Sequence, residues 1–127
     1  LKGVMTVKGA QKALEAGAAG IVVSNHGGRV QDGVPATAQV LPAIADAVKG
    51  QMTILVDGGI RTGVDVLKAL ALGADGVLLA RPYVTAVYGG GAEGVQVLTQ
   101  KLKGELEDTM AMCGVHSLSE ITRDLIF

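Results

Sequence analysis

His26 and Arg29 are the side chains of this sequence best suited to chemistry, and they stand three residues apart in the tract Ser-Asn-His-Gly-Gly-Arg. An imidazole can accept a proton, and a guanidinium can hold a carboxylate through paired hydrogen bonds. Gly27 and Gly28 let the backbone turn sharply and let a ligand approach closely. The tract therefore favours chemistry on a small organic acid, with a base beside a carboxylate clamp.

Other polar residues follow apolar segments at regular intervals. Lys2, His26, Asp57 and Arg81 are separated by 24, 31 and 24 residues, which is about one strand and one helix each. The loops at the carboxyl ends of parallel strands meet at one rim, so these segments are predicted to bring their polar groups together. Each residue alone also has a structural interpretation, as a turn, a loop histidine or a surface charge. Their shared placement favours function.

Two loops, at residues 57–63 and 80–82, each run from a predicted strand straight into a helix. Free N–H groups and the positive helix end are expected to face the rim, where anions bind. Arg61 and Arg81 add guanidinium groups suited to phosphate oxygens. Asp57 is predicted either to bind the hydroxyls of a ribityl or ribose chain or to pair with Arg61.

The elements that must position these residues alternate between strand and helix. Strands are predicted at Gly20–Val23, Thr53–Val56 and 76–80. Helices are predicted at about 7–15, with Thr6 as N-cap, and at 40–48. A third helix is predicted from a Thr62–Asp65 capping box to Gly73. The remainder is predicted to form a helix at about 92–112 and a final short helix capped by Ser117 and Glu120. Short, continuously apolar strands between helices indicate a parallel sheet covered on its faces.

The predicted fold class is α/β, with parallel strands alternating with helices and a helical C-terminal tail. Repeated βα units suit a TIM (β/α)8 barrel, and a doubly wound sheet is the alternative because three strands do not settle closure. A complete barrel needs about 200 residues or more. Residues 1–127 are therefore expected to form a single partial (β/α)8-barrel domain, the C-terminal half of a barrel whose first strand begins before Leu1.

Composition narrows the classes of partner. The net charge of −1 gives no electrostatic reason to expect nucleic acid or an anionic membrane surface. Cys113 is the single cysteine, which excludes an intrachain disulfide and a cysteine metal cluster, and it is expected in the core with Met110 and Met112. No apolar run reaches the length of a membrane span and no signal peptide opens the sequence, so a cytoplasmic setting is expected.

Four motifs occur in order: Lys-Gly at a strand end, Ser-Asn-His-Gly-Gly-Arg-x-x-Asp, Asp-Gly-Gly-x-Arg-x-Gly, and Arg-Pro after a strand. Together they resemble the FMN-dependent 2-hydroxy acid oxidases and dehydrogenases, which include glycolate oxidase, lactate oxidase and the lactate and mandelate dehydrogenases. The similarity runs through essentially the whole sequence. It implies FMN as cofactor and the oxidation of a small L-2-hydroxy acid to the 2-oxo acid.

The resemblance also implies roles for matching positions. His26 would be the catalytic base, and Arg29 would hold the substrate carboxylate beside it. Lys2 would stabilise negative charge on the reduced flavin, and Ser24 would hydrogen-bond the cofactor. Asp32 would orient the loop through Arg29 or through backbone. The remaining cofactor positions would be Asp57 at the ribityl hydroxyls and Gly58, Gly59, Arg61, Ala80 and Arg81 at the phosphate.

The sequence departs from the family pattern in places. Ala80 stands where the family usually has glycine, and Val30-Gln31 replaces a more familiar Gln-Leu. The family's first half barrel supplies pocket tyrosines, a second arginine and the aspartate behind the histidine, and none of these is present. The chain is therefore expected to have little activity alone, and to pair with itself or with the missing half. The alternatives are another FMN barrel, such as a type II isopentenyl diphosphate isomerase, and a noncatalytic half barrel that binds phosphate ligands.

Overall fold

The computed structural model describes residues 1–126 and contains one parallel sheet. Its four strands lie side by side in sequence order: β1 (Lys2–Val4), β2 (Gly20–Val23), β3 (Thr53–Val56) and β4 (Gly76–Val77). Helices α1 (Val7–Glu15), α2 (Thr37–Val48) and α3 (Gly63–Ala71) connect successive strands, and α4 (Arg81–Met112) follows β4. Short 3₁₀ turns occupy His26–Gly28, Leu118–Glu120 and Arg123–Leu125. A doubly wound sheet reverses its strand order, and this sheet does not, so the barrel-type arrangement is confirmed.

The two faces of the sheet differ in how completely they are covered. Parallel pairing aligns Ile21 with Ile54 and Val23 with Val56, and all four are at most 2% exposed beneath the helices. The alternating residues of the same strands point to the opposite face and are less covered: Val22 and Leu55 are half-buried and Thr53 is exposed. Apolar residues of α2 complete the covered core: Leu41, Ile44, Ala45 and Val48. The half-buried face is the one that continues into the polar loops.

Strand β4 is shorter than the sequence predicted. It spans Gly76–Val77 rather than 76–80, although the amide of Leu78 still donates to the carbonyl of Val56 at 2.9 Å. The partner strand β3 ends at Val56 and turns away through glycines, so residues beyond Leu78 have no ladder to join. The prediction failed because strand length depends on the neighbouring strand.

Helix α4 begins earlier than predicted. It starts at Arg81 rather than near residue 92 and contains two non-helical residues, Gly90 and Gly91. The two limbs fold back on each other, since a Cβ added to Gly94 would overlap the carbonyl oxygen of Ala86. Three successive glycines hid the first limb from a pattern-based prediction because glycine is a poor helix former.

The end of α4 corrects two predicted core positions. Met112 is 89% exposed and Cys113 is also exposed, whereas Met110 packs in a second apolar cluster as expected. That cluster joins α3 to the C-terminal turns through Leu67 and Ile121. Met112 and Cys113 lie off the helix face that meets α3, so neither is buried by it.

Polar contacts secure the amino ends of the strands, opposite the functional rim. Asp75 accepts the amide of Ile54 at 2.8 Å and lies 3.8 Å from the ammonium of Lys49. The same ammonium donates to the carbonyl of Gly73 at 3.1 Å. In the described part of the chain, no helix combines the length and apolarity that crossing a membrane requires.

Candidate functional site

A cavity of about 280 Å³ opens at the carboxyl ends of the strands. It is lined by nine of the residues that the sequence singled out: Lys2, His26, Arg29, Asp57, Gly58, Gly59, Arg61, Ala80 and Arg81. Ser24 lies in the wall of a neighbouring cavity, which shares Lys2 and His26 with the first. Residues from four strand ends therefore meet at one rim, as the spacing predicted. Pro82 of the Arg-Pro motif also lines the cavity, as do Ile60 and Leu78, which carry no sequence signal of their own.

Strand register explains why three of these polar groups meet. Lys2 pairs with Val22, so its side chain shares a face with Ser24, two residues further along β2. The ammonium of Lys2 donates to the Ser24 hydroxyl at 2.9 Å and lies 3.0 Å from a carboxylate oxygen of Asp57. Of the two alternatives for Asp57, pairing with Arg61 is therefore wrong, because Lys2 lies on the same face of the sheet and pairs with Asp57 instead.

The second carboxylate oxygen of Asp57 has a different environment. Its Oδ1 is buried and accepts no hydrogen bond from the described residues. A buried acceptor without a partner is costly, and this one belongs to a side chain in the cavity wall. A ligand hydroxyl would donate a hydrogen bond to this oxygen. The cavity therefore suits a ligand with a chain of hydroxyl groups.

The His26 loop has an unusual backbone. His26, Gly27 and Gly28 have φ values of 57°, 67° and 71°, three consecutive residues in the left-handed region. For a residue with a Cβ this conformation costs about 1 kcal/mol. Buried Ser24 helps to hold it, because its hydroxyl oxygen accepts the His26 amide at 3.2 Å. The loop thus presents the imidazole outward from a fixed strand end.

Two side chains brace the same loop further along. The amide group of Asn25 donates to the carbonyl of Pro35 at 3.2 Å. Asp32 accepts the amide of Gly33 at 2.9 Å, so of its two expected contacts the structure shows the one to backbone. The side chain of Arg29 is exposed at the rim and lines the cavity near His26.

The glycine loop after β3 is braced by a residue that the sequence did not single out. The hydroxyl of buried Thr37 donates to the carbonyl of Asp57 at 2.7 Å. Gly58 follows with φ of 92°, and a Cβ added there would lie 3.2 Å from the Thr37 hydroxyl oxygen. Thr37 stands twenty residues before Asp57, and nothing local in the sequence connects them.

The start of α3 differs from the expectation of free amides facing the rim. The carboxylate of Asp65 accepts the amides of Arg61 and Thr62, each at 3.0 Å. Glu105 of α4 accepts the amide of Gly63 at 2.9 Å. The Thr62–Asp65 capping box is confirmed, and together the two carboxylates occupy this helix end. The expectation of free amides at the start of α3 is therefore wrong, and phosphate binding by Gly58, Gly59 and Arg61 stays a prediction.

These hydrogen bonds also affect ionisation. Burial alone would raise the pKa of Asp65, but hydrogen bonds from the Arg61 amide and from Thr62 outweigh it and lower the pKa. The pKa of Glu105 is lowered by its side-chain hydrogen bond with Lys101 and then by the Gly63 amide. Both carboxylates are thus held in their charged form at neutral pH.

Unpaired donors lie instead around the glycine loop and the start of α4. No acceptor among residues 1–126 takes the amides of Gly59, Ile60 or Arg81. Arg61 and Arg81 line both the main cavity and an adjoining one of about 440 Å³. A Cβ added to Gly27 would lie 3.5 Å from a guanidinium nitrogen of Arg81, so that side chain reaches towards the His26 loop. This end of the cavity fits an anion such as phosphate.

The fold and the cavity together define a class. Parallel strands in sequential order carry a base, a carboxylate and an anion-binding end on their carboxyl-terminal loops, which is where barrel enzymes place ligands. Within residues 1–126, no cluster of three or more His, Cys, Asp or Glu residues could hold a metal ion. The class is therefore a barrel-type α/β protein with a rim suited to a phosphorylated organic ligand.

Comparison with known proteins gives the family. The model of the FMN-dependent dehydrogenase family matches residues 1–127. L-lactate dehydrogenase of Xanthomonas campestris pv. campestris is 51% identical over 126 residues, which are 99% of this chain and 33% of that protein. L-lactate dehydrogenase of Pectobacterium atrosepticum is 51% identical over 124 residues, 98% of this chain and 32% of that protein.

Solved structures agree with this assignment. Mandelate oxidase with benzoyl-formic acid superposes with a TM-score of 0.94 and 48% sequence identity, covering 97% of this chain and 37% of that one. This chain belongs to the FMN-dependent dehydrogenase family. It spans about a third of the length of the curated relatives that it matches.

Proposed function

We propose that this chain takes part in the FMN-dependent oxidation of a small L-2-hydroxy acid to the 2-oxo acid. The observation that carries the proposal is one cavity that is lined both by His26 and Arg29 and by the cationic loops. Membership of the FMN-dependent dehydrogenase family supports the same chemistry. The proposal thus joins a base and a carboxylate clamp to a site for a phosphorylated cofactor.

The residues of the cavity offer partners for the phosphate, the ribityl chain and one edge of the flavin ring of FMN. Free amides at Gly59 and Arg81, with the guanidinium of Arg61, would hold the phosphate. The unpartnered oxygen of Asp57 would accept a ribityl hydroxyl, and Lys2, held by Ser24, would offer a positive charge to the flavin ring. When bound, FMN supplies the acceptor for the two electrons that leave the substrate carbon.

Ala80 does not conflict with this assignment, although the family usually has glycine there. Its φ is −115°, which any residue adopts, so the backbone at this position does not require glycine. The contact that the phosphate needs comes from the following amide and guanidinium, both on Arg81. A methyl group at position 80 leaves those donors unchanged.

Two residues of this chain would act on the substrate, each in a different role. Arg29 would hold the carboxylate in a paired interaction and so fix the reacting carbon. His26 would take the proton of the substrate hydroxyl, and its fixed backbone limits where the imidazole can go. Both side chains lie at the exposed rim, so the water exclusion that such chemistry needs must come from elsewhere.

We further propose that residues 1–127 act as the C-terminal half of a barrel. Three observations support this: the half-buried face of the sheet, the outer edges of β1 and β4 without a strand partner in the described chain, and coverage of about a third of the relatives. Pairing with a complementary half barrel, or with a second copy, would cover these surfaces. The cytoplasmic setting stays a prediction from the sequence.

A chimeric enzyme tests the proposal. The chain replaces the matching third of the Xanthomonas campestris L-lactate dehydrogenase, with which it shares 51% identity. We expect FMN fluorescence to be quenched on binding and flavin absorbance to bleach when L-lactate or glycolate is added without oxygen. Absence of FMN binding by the chimera would refute the flavoenzyme proposal.

His26→Ala in the chimera tests the base. Flavin reduction should slow by several orders of magnitude, about 10²–10⁴-fold for loss of a general base, while FMN stays bound. His116→Ala is the matched control, because it makes the same change at the other histidine, on the C-terminal turns. A near-normal rate in His26→Ala would remove His26 from the role.

Arg29→Lys tests the clamp. An ammonium cannot make the paired contact of a guanidinium, so substrate binding should weaken and flavin reduction should slow. FMN affinity should stay unchanged. Kinetics equal to those of the parent chimera would instead give Arg29 a structural role.

A second candidate is a phosphate-ligand-binding half barrel without catalysis. It is favoured by the residues that this chain supplies, since Arg61 and Arg81 line both cavities at the cationic loops while His26 and Arg29 are exposed. The two candidates differ in one result. FMN binding by the chimera without any bleaching by 2-hydroxy acids would favour binding alone.

A further inference from the structure

The loop that leaves β3 enters α3 through Arg61, and the backbone there is held by one carboxylate. Asp65 Oδ2 accepts the Arg61 amide at 3.0 Å, the Thr62 amide at 3.0 Å and the Thr62 hydroxyl at 2.9 Å. The hydroxyl oxygen of Thr62 in turn accepts the Asp65 amide at 3.1 Å. Four hydrogen bonds thus close a small ring at the point from which the Arg61 side chain departs.

We propose that Asp65 is a positioning residue that holds Arg61 in place for the phosphate of bound FMN. The inference rests on the proposed function and adds to it a residue outside the cavity lining. Arg61 is exposed, and its guanidinium lines both cavities at the anion-binding end. A long flexible side chain binds better when its backbone is already fixed, because less freedom is lost on binding.

The charges around α3 point in the same direction. Asp65 and Glu105 place two carboxylates at a helix end that would otherwise attract an anion. They occupy its amides and repel a phosphate, which leaves the free amides near Gly59 and Arg81 as the place to bind. Arg61 lies between the start of α3, whose amides have acceptors, and the start of α4, whose first amide has none among the described residues.

The two possible roles of Asp65 predict opposite effects of its removal on phosphate binding. If Asp65 acted only through its charge, removing that charge would strengthen phosphate binding. If it acts by positioning Arg61, removing it weakens phosphate binding despite the lost repulsion. Glu105 offers a matched control, since it has the same charge at the same helix end but bonds Gly63 and Lys101 rather than Arg61.

The experiment compares FMN with riboflavin, which lacks the phosphate, in the chimeric enzyme described above. Asp65→Asn should raise the FMN dissociation constant about tenfold, the loss expected for weakened charge-assisted hydrogen bonds, and Asp65→Ala should raise it further. The riboflavin constant should stay within about twofold of the parent value. Glu105→Gln removes the same charge without releasing Arg61, so it should not raise the FMN constant and should leave the riboflavin constant within about twofold of the parent value.

Three results would overturn the inference. The first is an FMN affinity in Asp65→Asn equal to or tighter than that of the parent. The second is an equal loss for FMN and riboflavin, which would make Asp65 a general structural residue. The third is a parent chimera that binds no FMN, which would refute the proposed function as well.

A ligand-free measurement covers the case in which a variant folds poorly. Hydrogen exchange of the Arg61 and Thr62 amides, measured by NMR in the unliganded chimera, should accelerate in Asp65→Ala, which removes the acceptor, and remain near the parent rate in Asp65→Glu, since glutamate can also accept at this capping position. It should remain at the parent rate in Glu105→Gln. Unchanged exchange in Asp65→Ala would show that these amides are not held by Asp65 and would overturn the inference.

Discussion

Gly63→Ala should destabilise this chain although helix propensity predicts the opposite. Gly63 is the first residue of α3, and alanine is favoured over glycine in a helix by about 1 kcal/mol. Here the start of α3 lies against the backbone of α4. A Cβ added to Gly63 would lie 2.6 Å from the carbonyl carbon of Glu105 and would overlap the amide of Leu106. Carbon atoms normally approach no closer than about 3.5 Å.

The magnitude follows from what must move. The two helices would have to separate by about 1 Å, and overpacking of this kind costs about 1–3 kcal/mol. The separation would also stretch the 2.9 Å hydrogen bond from the Gly63 amide to Glu105, worth about 1 kcal/mol. Less the gain in helix propensity, the expected loss is about 1–3 kcal/mol in the free energy of unfolding.

Urea unfolding followed by circular dichroism measures this loss, and Gly104→Ala provides the matched control. Gly104 lies inside α4, and a Cβ there would meet no atom within 4 Å. The same substitution should therefore stabilise by up to about 1 kcal/mol at Gly104. If Gly63→Ala proves as stable as the parent chain while Gly104→Ala gains stability, the close approach of α3 to α4 is refuted.

Two further predictions concern the core and pH. Leu41→Ala should lower the free energy of unfolding by about 2–5 kcal/mol, because Leu41 is 1% exposed. Leu118→Ala, at a 58% exposed position, should change it little. Equal effects of the two substitutions in urea unfolding would contradict the assigned core. The lowered pKa of Asp65 contributes stability that is present above its ordinary value of 3.8 and is lost as the pH falls through and below it. Urea midpoints between pH 6 and pH 2 should therefore fall less steeply in Asp65→Asn than in the parent, and parallel profiles would show that this carboxyl contributes nothing.

Local signals predicted a large share of the fold. Strands β2 and β3 occur at the predicted residues, and Thr6 caps α1 while Thr62 and Asp65 cap α3 as expected. These features depend on residues within one helical turn or one strand, where apolar periodicity and capping chemistry act. The prediction failed at β4, whose length depends on a distant neighbour, and at the first limb of α4, where three glycines concealed the helix.

The candidate site was likewise predictable only in part. The spacing of His26, Asp57 and Arg81 predicted a common rim, because parallel strands repeat with the length of a strand–helix unit. The pairing within that rim was not predictable. Asp57 bonds Lys2 rather than Arg61 because pairing of β1 with β2 places the Lys2 side chain on the face that Asp57 shares.

The sequence by itself thus determined which residue types stand at the strand ends, the order of the elements and the family resemblance, all of which depend on local pattern and spacing. Only the tertiary structure decided which donors remain free. Glu105 lies 42 residues from the Gly63 amide that it occupies, and Thr37 lies 20 residues from the Asp57 carbonyl that it bonds. Such contacts form when helices pack against one another, so no local pattern records them. They leave the Gly63 amide and the Asp57 carbonyl paired, while the Arg81 amide has no acceptor among residues 1–126.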